Sequence, residues 1–513
     1  MSNMDRQPSI FTVEDASKIA FTLYGLQAEA CPLPGELDHN FRLQTTAGQE
    51  FVLKIAHAGQ QKDILDLQNK AMAYLAAHNP SLLLPQVCAT STGESMGIIT
   101  ASNGMTHFVR MLTYIPGRLL AEVKPHTPEL LYSLGQTLGK LDDTLQGFRH
   151  TAAQRTLKWD LQHTLWIRDY LQHIAAPERR AIVENFVEQF ETHVMPVLPR
   201  LRQSVIHNDA NDYNVLVNPA AFVGAGFTPA LSVIDFGDMV HTYTVCELAI
   251  AAAYAMLGKP DPLRAAAQVV AGYHAAFPLS EVELEVLYPL ICSRLSISVV
   301  NSAYQQKVEP HNVYLTISEA PAWSLLEQLA HIHPRLAHYT FRHACGLPPC
   351  PSTSAIINWL TSHAGTFSSV VEPDLRTANT VIFDLSVGSR ELGNLQNVSD
   401  LVWFNQHIFG RMQAAQSSVG IGRYNEVRQI YTSDAYKIEG NNGPEWRTVH
   451  VGLDIFMEPD SPVLAPLDGI VHSFHNNVAQ LDYGPTIILQ HTVAAGQLTF
   501  FTLYGHLSLD SLD

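Results

Sequence analysis

Two short polar motifs in the middle of the chain have the residue types that a phosphoryl-transfer site needs. The first motif ends in an acid that is followed five residues later by an amide, and the second begins with an acid after an apolar run. In phosphoryl transfer one carboxylate accepts the proton of the attacking hydroxyl, while an amide and a second carboxylate hold a metal ion at the nucleotide phosphates. The residues concerned are His207, Asn208, Asp209, Asn214, Asp235 and Asp238.

Apolar segments around these motifs predict that the polar residues lie at strand ends. Segments 203–206, 215–217 and 231–234 are short and apolar, as expected for buried strands. Rigid scaffolds place catalytic groups on loops at such strand ends. A hairpin whose Asp and Asn side chains only cap turns has the same local pattern, and it is the structural alternative.

The N-terminal part of the chain predicts elements that would hold a nucleotide. Segment 51–55 predicts a buried strand that presents Lys54, whose ammonium can pair with the α- and β-phosphates. Segment 35–43 predicts a turn between strands over the phosphates, and it contains Asn40 as a candidate nucleotide contact. A lysine in a strand is more often solvated, so only its place before the two motifs favours a functional role for Lys54.

On these motifs the chain resembles the aminoglycoside phosphotransferase and choline kinase superfamily, and within it the hydroxylysine kinase group. The resemblance implies a bilobal, protein-kinase-like fold of the α+β class and phosphorylation of a small alcohol. It further implies that Asp209 is the catalytic base, that Asn214 and Asp235 are the magnesium ligands, and that His207 braces the loop. Asn208 stands where many relatives have Gly, and Asn also accepts strained backbone conformations.

The resemblance also implies a carboxylate partner for Lys54 on the next helix, predicted over 64–78. The family's Glu position falls on Gln68, while Asp66 lies half a turn away. Gln68 can hydrogen-bond an ammonium but cannot neutralise it. We therefore expect either that Asp66 reaches Lys54 or that phosphate alone holds the lysine.

Downstream of the motifs the pattern is helical, and two acids there have alternative roles. The apolar run 247–253 is too short to span a bilayer and predicts a buried helix. Glu247 at its start is a candidate for binding a substrate amine, although capping of the helix dipole explains it equally well. Asp238 either supports the metal ligands or contacts the substrate.

A second constellation of polar residues lies near the C-terminus. His450 and Asp454 are four residues apart and His506 follows at a distance, which are residue types that bind zinc. The order resembles the lysostaphin-type zinc endopeptidases, an antiparallel β fold. The resemblance implies that His450 and Asp454 bind Zn²⁺ and that His506 polarises the substrate.

The closing His-x-His motif of that family would lie downstream of Asp513. Two protein ligands hold zinc poorly, since catalytic sites generally have three and a water. The alternatives are a chain cut from a longer polypeptide and a non-catalytic relative, and we expect the first. The domain order also resembles large bacterial proteins that continue into a class III aminotransferase-like domain, which is then the expected C-terminal partner.

Composition agrees with a soluble, cytoplasmic enzyme of several domains. The 513 residues carry a formal charge of −17, which argues against nucleic acid and anionic membranes as partners. No basic and apolar N-terminal signal is visible, and the six scattered cysteines suggest reduced thiols. We predict a kinase domain over 1–347, with its lobes meeting near 112 and 113, a linker over 348–395, and a smaller, mostly antiparallel β domain over 396–513.

The sequence therefore predicts a kinase that transfers the γ-phosphate of ATP or GTP, with Mg²⁺, to the hydroxyl of an amino alcohol or hydroxy amino acid. A non-catalytic, kinase-like binding scaffold is one alternative, which the Gln68 position favours and the intact acids oppose. Zinc peptidase activity of the β domain in a longer parent protein is the other.

Overall fold

The computed structural model describes residues 11–35, 38–218, 229–308, 319–479 and 481–513. Contacts within the chain divide it into two units, Met1–Pro349 and Cys350–Asp513. The predicted turn over the phosphates lies partly outside the described residues, because positions 36 and 37 are not among them.

The first part of the Met1–Pro349 unit is an antiparallel sheet with two helices. The sheet order is β1-β2-β3-β6-β4, and β5 also pairs with β6. The elements in chain order are α1 (Val13–Tyr24), β1 (Ala28–Leu33), β2 (His39–Thr45), β3 (Glu50–Ile55), α2 (Lys62–His78), β4 (Val87–Cys88), β5 (Gly97–Thr100) and β6 (Thr106–Thr113).

Local sequence signals explain where α1 begins and ends. Thr12 accepts from the backbone N–H of Asp15, and the Asp15 side chain accepts in return from the N–H of Thr12. This capping box satisfies N–H groups that the first helical turn leaves unpaired. Gly25 ends the helix in the left-handed region with φ 64°, which a residue without a Cβ adopts without strain. One face of α1 packs Ala16 and Ala20 into the core of the sheet.

The remainder of this unit is mostly helical and contains three short β pairings. Strand β9 pairs with β10 and β7, and β8 pairs with β11. The elements in chain order are β7 (Arg118–Leu119), α3 (Pro128–Leu145), α4 (Pro177–Gln189), β8 (Gln203–Ile206), β9 (Val215–Asn218), β10 (Ala230–Val233), β11 (Val240–Tyr243), α5 (Val245–Met256), α6 (Pro262–Ala276), α7 (Glu281–Val308), α8 (Glu319–Leu329) and α9 (Pro334–Ala344).

Helices α3 and α6 approach each other closely because glycines line their contact. A Cβ built on Gly272 would lie 1.9 Å from the carbonyl oxygen of Tyr132, and one on Gly135 would lie 1.9 Å from that of Val269. Both obstacles are backbone atoms, so no side-chain rotation could relieve the overlap. Leucines at three- and four-residue spacing form a buried stripe on the same helix: Leu130, Leu134, Leu138, Leu141 and Leu145.

We expect Gly272→Ala to destabilise the Met1–Pro349 unit by about 3 kcal/mol or more, because overpacking against backbone forces the two helices apart. Chemical denaturation of the purified protein measures this. Gly410→Ala is the matched control, since a Cβ there meets no atom within 4 Å. A Gly272→Ala protein as stable as wild type would contradict the close approach.

Helices α5 and α7 form the centre of this helical core. Eleven of the α5 residues are buried, as predicted for the apolar run that starts at Glu247. Within the described part of the chain, α7 is the one helix long and apolar enough to cross a membrane, but 83% of its most apolar stretch is buried in the protein. It is therefore a core helix.

In its described residues, the Cys350–Asp513 unit combines small, mostly antiparallel sheets with three α-helices. Its main sheets have the orders β12-β13-β18 and β19-β20-β21, and only the β12–β13 pairing among the described strands is parallel. The elements include α10 (Thr353–His363), β12 (Thr380–Phe383), α11 (Leu395–Ser399), α12 (Leu401–Ala414), β13 (Val419–Gly422), β14 (Glu426–Val427), β15 (Lys437–Gly440), β16 (Gly443–Trp446), β17 (Val449–His450), β18 (Asp454–Phe456), β19 (Ile470–Asn477), β20 (Gly484–Val493) and β21 (Leu498–Tyr504).

Segment 348–395, predicted as a linker, contains regular structure. It includes α10 and β12, and Phe383 of β12 is buried in a small core with Ile408 and Met412. The Pro-rich sequence at its start coincides with the boundary of the two units at 349 and 350. Composition did not reveal β12, because a four-residue strand is too short to show a clear period.

Candidate active site

A hairpin register brings the two polar motifs to one place. Strands β9 and β10 pair with Val215 opposite Val233, so Asn214 lies just before one strand and Asp235 two residues after the other. The N–H of Ile234 donates to the carbonyl of Asn214 at 2.9 Å and extends this pairing. The amide and the acid of the two motifs therefore lie at the same end of the hairpin.

The Asp209 carboxylate is held by Asn214 within the loop between β8 and β9. The Nδ2 group of Asn214 donates to Asp209 Oδ2 at 2.7 Å and to the Asp209 carbonyl at 3.0 Å. The Asp209 side chain is 22% exposed, so it can reach a ligand from solvent. The bond to Oδ2 fixes the direction of the carboxylate. Both bonds use Asn214 Nδ2, and neither involves the amide oxygen Oδ1.

His207 is buried behind the loop and uses both ring nitrogens on the backbone. Its Nε2 lies 3.0 Å from the carbonyl oxygen of Ile234, and its Nδ1 accepts from the N–H of Asp209 at 3.3 Å. A neutral imidazole with its proton on Nε2 satisfies both contacts. His207 therefore joins the Asp209 loop to the strand end that carries Asp235.

Glu247 is a support of the loop and lies away from solvent. It is fully buried at the start of α5, and its Oε2 accepts from the backbone N–H of Asn208 at 2.7 Å. Asn208 has φ 66°, the left-handed conformation that Asn tolerates better than most residues. Burial raises the pKa of Glu247, which is the largest effect on that group. A contact with a substrate amine, the alternative role considered for Glu247, does not fit this burial.

We expect Glu247→Ala to lower the free energy of unfolding by about 2 to 4 kcal/mol, since it leaves a buried N–H without an acceptor and opens a cavity. Glu247→Gln keeps an oxygen at the same place and should lose less than about 1 kcal/mol. Denaturant unfolding of the three proteins measures the difference. Equal losses for both variants would mean that the bond to Asn208 contributes little.

A second buried acid, Asp142 on α3, makes stability depend on pH. Burial, and after it the charge of Glu247, raises the pKa of Asp142 well above its usual value, although Tyr273 donates to Asp142 Oδ2 at 2.6 Å. The folded state then retains a proton that the unfolded chain releases near pH 4. The stabilisation that this proton gives the folded state is therefore complete below about pH 4. It is lost as pH rises toward the pKa of Asp142 in the folded protein.

We expect Asp142→Asn to become more stable relative to wild type as pH rises, by up to about 1.4 kcal/mol per pH unit, because Asn does not titrate. Urea unfolding at several pH values between about 5 and about 8 measures the slope. A constant difference between the two proteins across this range would contradict the raised pKa.

Asp235 and Lys54 form an ion pair that joins the sheet to the helical part of the first unit. Lys54 Nζ lies 3.4 Å from Asp235 Oδ1, and the N–H of Gly237 donates to the same oxygen at 3.2 Å. Desolvation raises the pKa of Asp235, but the charge of Lys54 and the hydrogen bond from the N–H of Gly237 act against it, and the pKa lies below its usual value. Asp235 has φ 61°, so the backbone turns sharply and presents the carboxylate.

Lys54 lies in a row of polar residues that crosses three neighbouring strands. Asn40 of β2 and Arg110 of β6 are its direct partners in the sheet register. Asn40 Nδ2 donates to the Pro34 carbonyl at 3.1 Å and so ties β2 to the chain just after β1. Arg110 is buried and donates to Asn69 of α2 at 3.1 Å. Arg110 is not among the residues that the motifs predicted.

Of the two alternatives for Lys54, the one in which Asp66 reaches it is wrong in this structure. Asp66 Oδ2 instead contacts Lys70 at 2.7 Å and His150 at 3.1 Å. Gln68 is buried on α2, and Lys54 forms its ion pair with Asp235. Within the described residues, Arg110 of β6 is hydrogen-bonded to this helix at Asn69, while Lys54 is paired with Asp235.

Asp238 lies near Asp209, three residues beyond the Asp235 carboxylate that contacts Lys54. Desolvation, and then the nearby Asp209, raises the pKa of Asp238, while Arg155 opposes the shift. Arg155 also donates to the carbonyls of Gly237 and Met239 at 2.6 and 2.9 Å, which fixes the turn after Asp235. Asp238 is therefore close enough to Asp209 for the two carboxylates to affect each other's charge.

The donor set around the hairpin end fits a divalent cation. The Asp235 carboxylate and the Asn214 amide oxygen are hard oxygen ligands, which Mg²⁺ prefers. Mg²⁺ usually takes one or two protein ligands and completes its shell with water and nucleotide phosphate. The residues present would hold the metal only together with those ligands.

A residue that the motifs did not predict lies directly against Asp209. Arg294 of α7 donates from Nη2 to Asp209 Oδ1 at 3.1 Å, and it is 3% exposed. It is the one charged residue between positions 286 and 300. A single charged residue in an apolar, buried helix needs a partner of opposite charge or hydrogen-bond acceptors. This sequence signal could have identified Arg294.

The zinc constellation in the Cys350–Asp513 unit forms only in part. His450 Nε2 lies 3.6 Å from Asp454 Oδ1, but the guanidinium of Arg428 pairs with the other oxygen of Asp454. Burial lowers the pKa of His450. His506 follows β21, and the described residues contain no cluster of three groups that could hold a metal ion. His450 and Asp454 alone are too few ligands for Zn²⁺, and the guanidinium of Arg428 already pairs with one of them.

Comparison with known proteins agrees with the geometry of the first unit. Residues 29–284 match the model of the phosphotransferase enzyme family. Hydroxylysine kinase from Mus musculus is 32% identical over 340 residues, covering 62% of this chain and 89% of the relative. Hydroxylysine kinase from Danio rerio is 31% identical over 340 residues, covering 64% of this chain and 94% of the relative.

Solved structures similar to the chain include a microcompartment-associated aminopropanol kinase, with a TM-score of 0.49 and 16% identity over 65% of this chain and 99% of that one. Another is the amicoumacin kinase hAmiN in complex with AMP-PNP and Ca²⁺, with a TM-score of 0.48 and 14% identity over 63% of this chain and 95% of that one. From the sequence match to the kinases, the chain belongs to the phosphotransferase enzyme family and is a small-molecule kinase that phosphorylates a hydroxyl group.

Proposed function

We propose that the chain transfers the γ-phosphate of a nucleoside triphosphate, with Mg²⁺, to the hydroxyl of a hydroxylysine-like amino acid or amino alcohol. The observation that carries the proposal is the convergence of Asp209, Asn214 and Asp235 at one end of the β9–β10 hairpin, with Lys54 against Asp235. The acceptor class comes from the hydroxylysine kinases to which the chain is similar.

In this proposal Asp209 orients the acceptor hydroxyl and takes its proton during transfer. The hydrogen bond from Asn214 Nδ2 keeps Asp209 Oδ2 aimed, and His207 holds the backbone of the same loop. Lys54 steadies the α- and β-phosphates, since its ammonium is the cation that the sheet presents to Asp235. When bound at Asn214 and Asp235, Mg²⁺ would neutralise charge on the phosphates.

Fixed groups suit this reaction because its transition state spreads charge over the transferred oxygens and needs little covalent chemistry from the protein. Dipoles and cations that are already in place need no reorganisation as that charge develops. The bonds from His207, Glu247 and Arg155 to the backbone around the two motifs hold the loops in this way.

The test is a phosphorylation assay of the purified protein with ATP or GTP, Mg²⁺ and a panel of acceptors. The panel contains 5-hydroxylysine, ethanolamine, homoserine and an aminoglycoside, and mass spectrometry identifies any phosphorylated product. We expect a phosphorylated product from 5-hydroxylysine that depends on the nucleotide and on Mg²⁺. Nucleotide binding without any product from the panel would instead support the non-catalytic scaffold.

For the Cys350–Asp513 unit we propose a peptidase-like β domain that does not bind zinc on its own. The motif order around His450 and His506 supports the likeness, and the Arg428–Asp454 ion pair opposes metal binding. Attachment to an aminotransferase-like domain in a parent polypeptide is part of the same proposal. Stoichiometric, tightly held zinc in metal analysis of the purified chain would overturn the zinc-free assignment.

A cytoplasmic location is proposed from the cysteines. All six are free, and two of them, Cys246 and Cys292, are fully buried in the helical core. Free thiols persist in reducing compartments. Fractionation of cells that express the chain tests this, and recovery with secreted proteins would contradict it.

A further inference from the structure

The guanidinium of Arg294 is buried beside Asp209, and the described contacts do not satisfy all of its donors. Its centre is 4.7 Å from the ring centroid of Trp159 and 5.4 Å from that of Tyr254, and both rings are partly exposed. Arg294 Nη2 donates to Asp209 Oδ1 and to the Tyr254 hydroxyl, both at 3.1 Å. Two aromatic walls and a catalytic carboxylate therefore surround one buried cation.

Two of the three nitrogens of this guanidinium have no acceptor among the described residues. Arg294 Nε and Nη1 are buried, and neither makes a hydrogen bond within the part of the chain that the structure describes. A buried charged donor without a partner is costly, so such groups in native proteins are usually paired or contact a ligand. The unpaired nitrogens indicate that an acceptor, most favourably an anion, belongs beside this guanidinium.

The position of Arg294 indicates which anion this is. Asp209 directs Oδ2 to Asn214, on the side of the metal ligands, and Oδ1 to Arg294. The nucleotide phosphates have their own cation in Lys54, which contacts Asp235. An acceptor whose hydroxyl is held at Asp209 would extend past Oδ1 toward the guanidinium. The anion at Arg294 is then a group of the acceptor itself.

We propose that Arg294 binds the carboxylate of the acceptor, so that the substrate is a hydroxy amino acid and a decarboxylated amino alcohol is discriminated against. The planar fork of guanidinium donors matches the geometry of a carboxylate better than a lysine ammonium would. The Trp159 and Tyr254 rings would line the path of the methylene groups between hydroxyl and carboxylate. This inference rests on the proposed function and narrows its acceptor.

The experiment compares 5-hydroxylysine with its decarboxylated counterpart, 1,5-diamino-2-pentanol, for wild type, Arg294→Gln and Arg294→Lys. For wild type we expect kcat/KM to favour the amino acid by about 10- to 100-fold, the effect of a charged hydrogen bond. In Arg294→Gln the KM for hydroxylysine should rise, while the ratio of the two kcat/KM values falls toward one. Arg294→Lys should recover only part of the preference.

Arg168→Gln is the matched control, because Arg168 is an exposed arginine of the same unit that pairs with Glu191. It should keep the wild-type preference. Calorimetric binding of both compounds to each protein, with a non-hydrolysable nucleotide present, gives the same comparison without turnover. It therefore applies even to a variant that has lost catalysis.

The outcomes separate the inference from the function on which it rests. If wild type phosphorylates neither compound nor any other member of the acceptor panel, the proposed function fails. If wild type phosphorylates or binds both compounds equally well, the function stands and the carboxylate assignment is overturned. An Arg294→Gln protein that loses both substrates by the same factor also overturns it, since that is the result of a purely structural role.

Discussion

Asp209→Asn should lower kcat by about 10³-fold, within the range of 10²- to 10⁴-fold that general base catalysis contributes. Asn can still accept from Asn214 Nδ2, so the loop should keep its shape, but an amide cannot take the hydroxyl proton. The nucleotide affinity should stay near that of wild type, because Lys54 and Asp235 are unchanged. Steady-state kinetics with 5-hydroxylysine and calorimetry with nucleotide measure the two quantities.

Asp143→Asn provides the control for this variant. Asp143 is exposed on α3, so this substitution makes the same change of charge away from the Asp209 loop. It should retain full activity. Turnover of Asp209→Asn at the wild-type rate would remove Asp209 as the base. A variant with lost nucleotide binding as well would show that the substitution disturbs more than proton transfer.

Asp235→Asn should have the second largest effect, a loss of about 10²-fold or more in kcat/KM together with a higher Mg²⁺ requirement. The substitution removes the carboxylate that contacts Lys54 at 3.4 Å and that would bind the metal. Oxygen ligands that carry charge hold Mg²⁺ more tightly than amides do. The rate as a function of Mg²⁺ concentration, at saturating nucleotide, gives the shift.

Asp238→Asn is the matched control, because Asp238 lies three residues later in the same motif and is placed beside Asp209 and Arg155. Its Mg²⁺ dependence should stay close to that of wild type, whatever happens to its rate. If the two variants shift the Mg²⁺ requirement equally, the metal is not held at Asp235. An unchanged requirement in Asp235→Asn would have the same meaning.

Asp209 and Asp235, the residues of these two predictions, are identifiable from motif spacing alone. Their residue types and order are local properties, because Asp209 and Asn214 belong to one loop and Asp235 closely follows one apolar strand. The main elements are equally visible in the sequence, since the capping box of α1 and the leucine stripe of α3 depend on neighbours three or four residues apart.

Contacts between distant parts of the chain could not be derived in that way. Lys54 meets Asp235 across 181 positions, Asp66 turns to His150 across 84, and Arg294 reaches Asp209 across 85. Family position suggested that Lys54 pairs with α2, but the direction of each side chain depends on how the sheet and the helices pack. A local sequence pattern contains no information about those directions.

The sequence by itself determined the fold class, the order of the helices and strands around the motifs, and the acids and amide of the candidate phosphoryl-transfer site. Only the tertiary structure decided that Glu247 supports Asn208 from within the core and that Arg294 lies at Asp209. It also placed Arg428 on Asp454, where the sequence had predicted a zinc ligand. The physical reason is that burial and ion pairing are properties of the packed chain, whereas periodicity and motif spacing are properties of the unfolded one as well.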